Sequence, residues 1–418
     1  MKKRFTLSTL FAFTIMACVV TAVFTYLAAM NSMQDEINDN RRLRDELSQY
    51  LLVRDLIRNH AITEVTDSML LDMSTAGLVS TLRDPWSRFY SRTEFHAFQN
   101  QRELFPLGFS VRRASDERGV VINEVFNGSP AAEAGMIATD YIVAINDIPF
   151  NRLNGHYNAV YFMLGQLRRT NELTITVQRV DEEMRTITLT PRNLVLPSVE
   201  ATLLHEGTVG LIRLRNFNQG ADVDFRATLD RMLLTDATAI IIDVRNNPGG
   251  MIEVFQNMLT QLLPGRPILQ TTDGSGNYNM LPSGVGDGLD FDFEGADPIF
   301  PEGMRGMPVV ILTNANTRGV AEFFAAAMHE MGEGYVVTMG EPTAGQGFNQ
   351  QTFAFAGGSA LVLSTQEFLT PSGFSVRDGG LPPEVHVSMD PHFSAQIPNI
   401  SLANDPQLQA AIESFQNN

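Results

Sequence analysis

Apolar runs and helix-like stretches alternate in the second half of the chain. Three short runs rich in Ile, Val and Leu have the length and composition of buried strands, at 209–214, 239–244 and 309–313. Each is followed by a stretch whose apolar positions have helical spacing, near 221–234, near 251–263 and from about 319. This alternation predicts a layered α/β core over 196–395, with 396–418 as a C-terminal tail.

The segment before this core changes to short strands and turns. Residues 173–180 and 184–192 alternate apolar and polar positions as the two strands of a hairpin do. In the stretch SPAAEAG, Ser129 is suited to cap the start of a short helix and Gly135 to end it. These patterns predict a small β-rich domain over 104–195.

The N-terminal segment 5–30 contains no charged residue, and it is long enough for one helix to cross a bilayer. Basic residues in front of it favour a cytoplasmic N terminus. We therefore expect a single-pass membrane anchor over 1–30, with the rest of the chain outside the cytoplasm. The alternatives are a cleaved signal peptide and a lipoprotein signal that ends in IMAC at 15–18.

A charged, helix-friendly region follows over 31–103. Its first part repeats leucines every four residues, at Leu43, Leu47 and Leu51. This spacing is typical of a helical stalk, and a coiled-coil dimer is the alternative. A second helical stretch at 65–82 is stopped by Pro85. We expect Trp86, the single tryptophan, to anchor a core.

Composition removes several classes of function. The 418 residues carry a formal net charge of −17, and Lys2 and Lys3 are the only lysines. A chain this acidic repels nucleic acid, and lysine-dependent catalysis is excluded beyond residue 3. Cys18 stands alone, so it cannot form an intramolecular disulfide. The scattered histidines and the acidic loop 287–297 lack metal-ligand spacing, so we expect neither a metal nor another cofactor.

Four segments resemble, in order, elements of the carboxy-terminal processing (tail-specific) serine peptidases. They are DPWSRFY at 84–90, GSPAAEAGMIATDYIVAIND at 128–147, AIIIDVRNNPGG at 239–250 and TPSGFSVRDGGLPPEV at 370–385. The second departs from the family at Thr139, where glycine is usual. The resemblance implies an α/β core of crotonase- or ClpP-like type at 196–395, with a PDZ domain at 104–195 inserted ahead of it.

The resemblance also implies binding residues. In a PDZ domain an extended peptide adds to a sheet edge, and backbone N–H groups of a glycine loop hold its terminal carboxylate. By resemblance that loop is Leu107, Gly108 and Phe109; the alternative is a PDZ domain that only packs against the core. An oxyanion hole is implied at Gly249 or Gly250 together with the N–H of Val320, although a tight strand-to-helix turn fits the two glycines equally well.

The two catalytic positions of the family are substituted. Its pattern has a serine nucleophile in GSASASE and a lysine base in ExTFGKG, and the matching segments here are NANTRGVAEFFAAAMHE at 314–330 and EPTAGQGFNQ at 341–350. Gly319 stands at the nucleophile position and Gln346 at the base position. Glu322 of the helix remains, as does Gln350, where the family has a polar residue that supports the base.

These substitutions predict a pseudopeptidase, because glycine has no nucleophile and a glutamine amide does not titrate. We expect it to bind protein C-termini or unfolded segments. The alternative is an active serine- or threonine-type endopeptidase that uses Thr317, with Glu322 or His329 as its base. A third reading is an oligomer, with itself or with an active homologue that it regulates.

Overall fold

The computed structural model describes most of the chain after residue 46. The described ranges are 47–114, 119–126, 128–153, 155–180, 182–194, 196–273, 275–282, 302–304, 306–332, 334–377, 379–394, 397 and 400–416, with isolated earlier positions at 16, 20–22, 24–26, 30 and 45. The predicted anchor over 1–30 and the acidic loop 287–297 therefore lie largely or wholly outside them. Among the described residues, no helix has both the length and the apolar character needed to cross a membrane.

Contacts divide the chain into two units, Met1–Leu78 and Val79–Asn418. In the first unit α1 covers residues 47–60. It is followed by α2 (Asp67–Ser80), close to the helical stretch predicted at 65–82.

The second unit opens with a strand that the helical prediction for 31–103 did not include. β1 (Arg88–Tyr90) precedes α3 (Arg92–Asn100) and a 3-10 helix at Gln101–Leu107. A β-rich domain follows. Its elements are β2 (Phe109–Arg113), β3 (Val120–Val125), α4 (Pro130–Glu133), β4 (Tyr141–Ile145), β5 (Ile148–Pro149), α5 (His156–Thr170), β6 (Leu173–Gln178) and β7 (Arg185–Leu189).

The β-rich domain is one antiparallel sheet in the order β2–β3–β4–β6–β7, with β5 paired to β4. The predicted hairpin is confirmed as β6 and β7. The predicted cap is confirmed as well, because the Ser129 hydroxyl accepts the N–H of Ala132 at 3.2 Å at the start of α4.

The α/β core completes the chain. Its elements are β8 (Val199–Leu204), β9 (Val209–Leu214), α6 (Ala221–Met232), β10 (Ala239–Asp243), α7 (Ile252–Leu262), β11 (Pro267–Asp273), β12 (Tyr278–Pro282), β13 (Val309–Thr313), α8 (Val320–Met331), β14 (Val336–Gly340), β15 (Phe348–Ala354), β16 (Ala360–Leu369), β17 (Val385–His386), α9 (Pro391–Ser394) and α10 (Pro406–Ser414). The strands and helices predicted from apolar spacing are confirmed as β9, β10, β13, α6, α7 and α8.

The central sheet of the core has the order β17–β14–β13–β10–β9–β8. Its strands are parallel except β8, which is antiparallel to β9. Every residue of β10 is buried, because both faces of the sheet are covered. Ile240 and Ile242 pack against α6, α7 and α8, whereas Ile241 between them faces the cluster formed with α10.

A second sheet of the core has the order β1–β16–β11–β12, with β15 also paired to β16. β1 is antiparallel to β16, so residues 88–90 belong to the core and not to a helical stalk. The β-rich domain is therefore inserted between two parts of the core. The strands of this sheet are partly exposed, and their apolar pattern did not predict it.

Two groups of ion pairs connect the inserted domain and the C-terminal segment to the core. Arg215, which follows β9, pairs with Glu124 of β3 and so fastens the inserted domain to the core. Arg245 is fully buried after β10 and donates to Asp243 and Asp405, in each case with one contact of 2.8 Å. The segment predicted to be a C-terminal tail, 396–418, thus carries α10 against the central sheet.

His156 makes the stability of the inserted domain sensitive to acid. Burial, with the charges of Arg88 and Arg113, lowers the pKa of His156 to about 4. The folded pKa of this histidine lies below its unfolded pKa of about 6.5. Its contribution to stability is therefore complete above pH 6.5 and is lost as the pH falls toward 4. We expect the unfolding free energy of the full chain to fall by about 3 kcal/mol over this interval from His156 alone.

Urea unfolding at several pH values tests this expectation. His156→Leu cannot take up the proton, so the variant should show a shallower loss of stability between pH 6.5 and 4. Leucine at the exposed His60 serves as the matched control and should leave the wild-type slope. Parallel curves for the wild type and His156→Leu would exclude His156 as the source.

Candidate functional site

Three loops meet at the carboxyl edge of the central sheet, because the parallel strands β10, β13 and β14 all end there. The loops are 244–250, 314–319 and 341–347. The side chain of Asn314 ties the first two together by accepting the N–H of Asn246 at 3.0 Å. Sites in α/β proteins lie outside this edge of the sheet.

Glu322 is the residue on which these loops are assembled. It lies in the first turn of α8 and is fully buried. Its carboxylate accepts four hydrogen bonds, from the N–H groups of Gly319 (2.9 Å), Gly345 (2.7 Å) and Gln346 (2.8 Å) and from the hydroxyl of Thr343. Burial raises the pKa of Glu322, and the four hydrogen bonds act in the opposite direction.

Both oxygens of the Glu322 carboxylate are occupied by hydrogen bonds. A carboxylate offers about four acceptor positions, and four donors are directed at it. It therefore positions the loops and is not a free base.

The segment 370–385 fixes the position of Thr343, one of the donors to Glu322. The Thr343 hydroxyl that donates to Glu322 also accepts the N–H of Leu381 at 2.7 Å. The N–H of Thr343 in turn donates to the carbonyl of Leu381 at 3.2 Å. The segment resembling the family's TPSG element thus holds Thr343 in place, and it also packs against Gly345 and Gly347 on either side of Gln346.

The structure brings the two substituted positions together. The N–H groups of Gly319 and Gln346 both donate to Oε1 of Glu322, at 2.9 and 2.8 Å. Their nitrogens therefore lie within about 6 Å of each other, because two bonds to one oxygen cannot span more. Gly319, Glu322 and Gln346 are therefore neighbours, and neither Gly319 nor Gln346 has a side chain that could act as a nucleophile or a base.

Gly319 has a backbone conformation that suits glycine. Its φ is +60° and its ψ is −134°, and a Cβ built there would meet nothing within 4 Å. The space for a side chain is open, but a residue other than glycine would carry backbone strain of about 1–3 kcal/mol.

Gln350 joins the base position to the segment at 84–90. Its side chain accepts from Gln346 Nε2 at 3.3 Å and donates to the carbonyl of Trp86 at 2.7 Å. Asp84 holds that carbonyl in place by accepting the N–H of Trp86 at 2.9 Å. Ser87 adds a further tie, because its hydroxyl accepts the N–H of Ser364 in β16 at 3.0 Å.

Trp86 does not anchor a core, contrary to the expectation from sequence. It is partly exposed, and the guanidinium of Arg318 lies over its ring, 5.9 Å from the centroid. The ring therefore forms one wall of the site next to Gly319.

The candidate oxyanion donors differ in availability. The N–H of Gly249 donates to the side chain of Asn247 at 2.8 Å, so it is occupied. The N–H groups of Gly250 and Val320 have no acceptor within the part of the chain that the structure describes. Gly249 lies against Val320, since a Cβ on this glycine would stand 3.4 Å from the Val320 nitrogen. Gly250 and Val320 are the donors that remain for a ligand oxygen.

Thr317 is poorly placed to be a nucleophile. It is fully buried, and its hydroxyl donates to the carbonyl of Val244 at 2.9 Å while accepting the N–H of Asn314 at 3.1 Å. The Thr317 side chain therefore stabilises the turn before α8. This placement speaks against the sequence-based alternative of a threonine peptidase.

His329 is also far from the catalytic positions. It lies in the last turn of α8, about 15 Å along the helix from Gly319. Its Nδ1 contacts the carbonyl of Val336 at 3.0 Å and lies 3.6 Å from Glu384. It cannot act as a base for Thr317 in this arrangement.

The glycine loop 107–109 of the inserted domain is tightly packed and hydrogen-bonded within its own domain. Leu107 and Phe109 are fully buried, and the N–H of Gly108 donates to the carbonyl of Phe105 at 2.8 Å. Gly108 has a φ of +102°, and a Cβ there would stand 2.1 Å from the Ser129 hydroxyl. A bulky residue at Gly108 would disrupt the fold rather than only fill a ligand site.

Arg318 is the residue of this site that the sequence analysis missed. It directly precedes Gly319, at a position where the family pattern GSASASE has alanine. Only this departure from a small residue could have drawn attention to it. Its N–H donates to the carbonyl of Asn247 at 3.0 Å, which fixes the backbone beside the glycine loop.

Glu322→Gln should destabilise the full chain by about 2–4 kcal/mol in urea unfolding. The amide replaces an acceptor oxygen by N–H groups that face other donors, so buried donors are left unsatisfied. Glu253→Gln, the same change at an exposed position in the first turn of α7, should alter stability by less than about 0.5 kcal/mol. Equal effects of the two substitutions would contradict the assembling role of Glu322.

Known proteins resemble this chain over both domains. Residues 208–387 match Peptidase family S41, and residues 106–190 match the PDZ domain. The carboxy-terminal processing protease CtpB of Bacillus subtilis (strain 168) is 24% identical over 82% of this chain and 68% of its own length. A carboxyl-terminal-processing protease of Picosynechococcus sp. (strain ATCC 27264 / PCC 7002 / PR-6) is 26% identical over 80% and 77%.

A solved structure has the same fold. It is a photosystem II D1 C-terminal processing protease, which superposes with a TM-score of 0.55 at 19% identity and covers 81% of this chain and 86% of that one. The chain is accordingly a homologue of the carboxy-terminal processing serine peptidases of family S41, with a PDZ domain inserted in its peptidase core.

Proposed function

We propose that this protein is a pseudopeptidase that binds protein C-termini or unfolded segments without cutting them. One observation carries the proposal: Gly319 and Gln346 occupy the nucleophile and base positions of an otherwise assembled site. Glycine has no side chain to attack a peptide bond, and the amide of glutamine does not take up a proton near neutral pH. Loss of the nucleophile alone costs roughly 10⁶ in turnover in a well-studied serine peptidase.

A cleft for a polypeptide supports the binding part of the proposal. A cavity of about 890 Å³ lies between the PDZ domain and the core. Arg112 and Asn123 contribute to it from the PDZ domain, and Asn316 and Thr343 from the core. An extended chain in this cleft would contact both domains close to the substituted positions, because Thr343 in the cleft wall donates to Glu322.

The enzyme alternative has little support from geometry. Thr317 is buried with its hydroxyl engaged, and Glu322 is committed to four donors. A regulatory association with an active homologue remains compatible with the proposal, because a non-cutting copy would compete for the same chains.

We also propose that the protein is anchored in a membrane through 5–30, with both domains outside the cytoplasm. The uncharged stretch of 26 residues and the basic residues in front of it support this location.

Purified full-length protein should not hydrolyse peptides with apolar C-termini, while a fluorescently labelled peptide of this kind should bind. Hydrolysis is measured by mass spectrometry of the peptide after long incubation, and binding by fluorescence anisotropy. Cleavage that persists in the wild type but is abolished by Thr317→Ala would overturn the proposal and favour the threonine peptidase.

Restoring both side chains provides the complementary test. Gly319→Ser with Gln346→Lys should create slow hydrolysis, because the two positions are neighbours and the space at residue 319 is open. Gly319→Ala with Gln346→Lys carries similar backbone strain without a hydroxyl and should stay inactive. Activity in this control would point to a contaminating peptidase.

The location is tested by fusing alkaline phosphatase after the last residue in a bacterial host. This reporter needs disulfides, which form outside the cytoplasm, so the fusion should be active and should sediment with membranes. Deletion of 5–30 should abolish both properties. An inactive full-length fusion would place the domains in the cytoplasm.

A further inference from the structure

Arg318 carries a positive charge without an anionic partner. Its Nε is buried and makes no hydrogen bond. Among the described residues, no carboxylate lies within ion-pair distance of its guanidinium. Leaving this buried Nε–H of a half-buried guanidinium unpaired is costly in free energy, and this occurs in a chain whose net charge is −17.

The surroundings of Arg318 increase the need for an anion. Trp86 covers one side of the guanidinium, at 5.9 Å from the ring centroid. Arg112 of the PDZ domain adds a like charge from the wall of the cleft. Burial lowers the pKa of Arg318 and Arg112 acts in the same direction, whereas Glu322 opposes both. Arginine nevertheless stays protonated at neutral pH.

Glu322 does not neutralise Arg318 by contact. Its two oxygens are occupied by the four donors from residues 319, 343, 345 and 346. The remaining acid of the cleft is Glu341, whose carboxylate accepts the N–H of Met389 at 3.2 Å. Neither carboxylate therefore pairs with the guanidinium of Arg318.

Among the residues described, two backbone N–H groups without acceptors belong to the loops that meet at the backbone of Arg318. Val320 is two residues further along the chain, at the positive end of the twelve-residue helix α8. Gly250 follows Gly249, which packs against the Arg318 carbonyl and the Val320 nitrogen. The N–H groups of Gly250 and Val320 are without acceptors in the described ranges. A guanidinium and two N–H groups together match the two oxygens of a carboxylate.

We propose that Arg318, with the N–H groups of Gly250 and Val320, binds the terminal carboxylate of a polypeptide whose last residues occupy the cleft. This inference rests on the proposed function and specifies it further. An active peptidase must pass an uninterrupted chain through its catalytic position, whereas this site holds a chain that ends there. The bound state resembles a peptidase that retains its product.

The geometry favours a polypeptide end over a free inorganic anion. Arg318 is close to the cleft between the PDZ domain and the core, because Arg112 of the cleft wall acts on its charge and Asn316 of that wall is two residues before it. The cleft has a volume of about 890 Å³, which admits several residues. Glu341 in the cleft wall disfavours ligands with several negative charges. The planar guanidinium forms a fork that is complementary to a carboxylate.

Trp86 provides a reporter that belongs to this site alone, because the chain has no other tryptophan. Its fluorescence is to be followed while the full-length protein is titrated with three labelled peptides. The first has an apolar C terminus and a free carboxylate, the second is the same peptide amidated, and the third is amidated with a glutamate as its penultimate residue. Peptide anisotropy measures total binding in the same samples.

We expect the acid peptide to change the Trp86 fluorescence saturably and both amides to bind at least tenfold more weakly at this site. Arg318→Gln should abolish the Trp86 response to the acid peptide, with circular dichroism confirming its fold. Arg152→Gln removes the same charge at an exposed position of the PDZ domain and should leave the response intact.

Each other result has a defined meaning. Equal Trp86 responses to the acid and its amide, or an unchanged response in Arg318→Gln, would overturn the carboxylate site. An equal response to the glutamate amide would assign the site to acidic side chains and not to chain ends. A preference for the acid in anisotropy with a silent Trp86 would place carboxylate recognition in the PDZ domain. Absence of any binding, or cleavage of the peptides, would instead refute the proposed function itself.

Discussion

The site depends on one buried carboxylate that accepts four hydrogen bonds. Glu322 connects the start of α8 with the loop after β14, and Thr343 extends the connection to Leu381. Its partners are three backbone N–H groups and one hydroxyl, and none of them is a catalytic side chain. These four groups set the spacing of the nucleophile and base positions. Substituting the side chains at those two positions leaves the four groups in place.

Under the proposed function, this separation is the reason that the site stays assembled although two catalytic positions are substituted. Gly319 contributes its N–H to Glu322 and tolerates its unusual backbone angles without strain. Gln346 contributes its N–H in the same way, and its amide joins Gln350 and, through it, Trp86. A peptidase scaffold with these residues keeps its cleft, its free backbone donors and an added positive charge at Arg318. Under the proposed function, such a set of groups holds a ligand without transforming it.

The larger architecture is held by buried and half-buried charges. Arg215 joins the PDZ domain to the core through Glu124, so one wall of the cleft is fixed relative to the other. Arg245 joins the strand edge to α10 through Asp405, with both side chains removed from solvent. Burial raises the pKa of Asp243, but the charges of Arg245 and Arg213 outweigh it and lower that pKa to about 2. Removing one member of such a group would leave an uncompensated charge in the interior.

Local pattern alone determined the alternating core, because strands covered on both faces are continuous apolar runs and amphipathic helices repeat every 3.6 residues. It also determined the Ser129 cap. The substitutions at Gly319 and Gln346, by contrast, were recognised through the resemblance to the family's sequence pattern. Only the tertiary structure decided that 88–90 is a core strand and that α10 packs on the sheet, because their partners are distant in sequence. Only the tertiary structure shows that Thr317 and Gly249 are hydrogen-bonded and that the Nε of Arg318 is not, within the described part of the chain. Whether a polar group is free depends on which donors and acceptors the fold brings within about 3 Å of it.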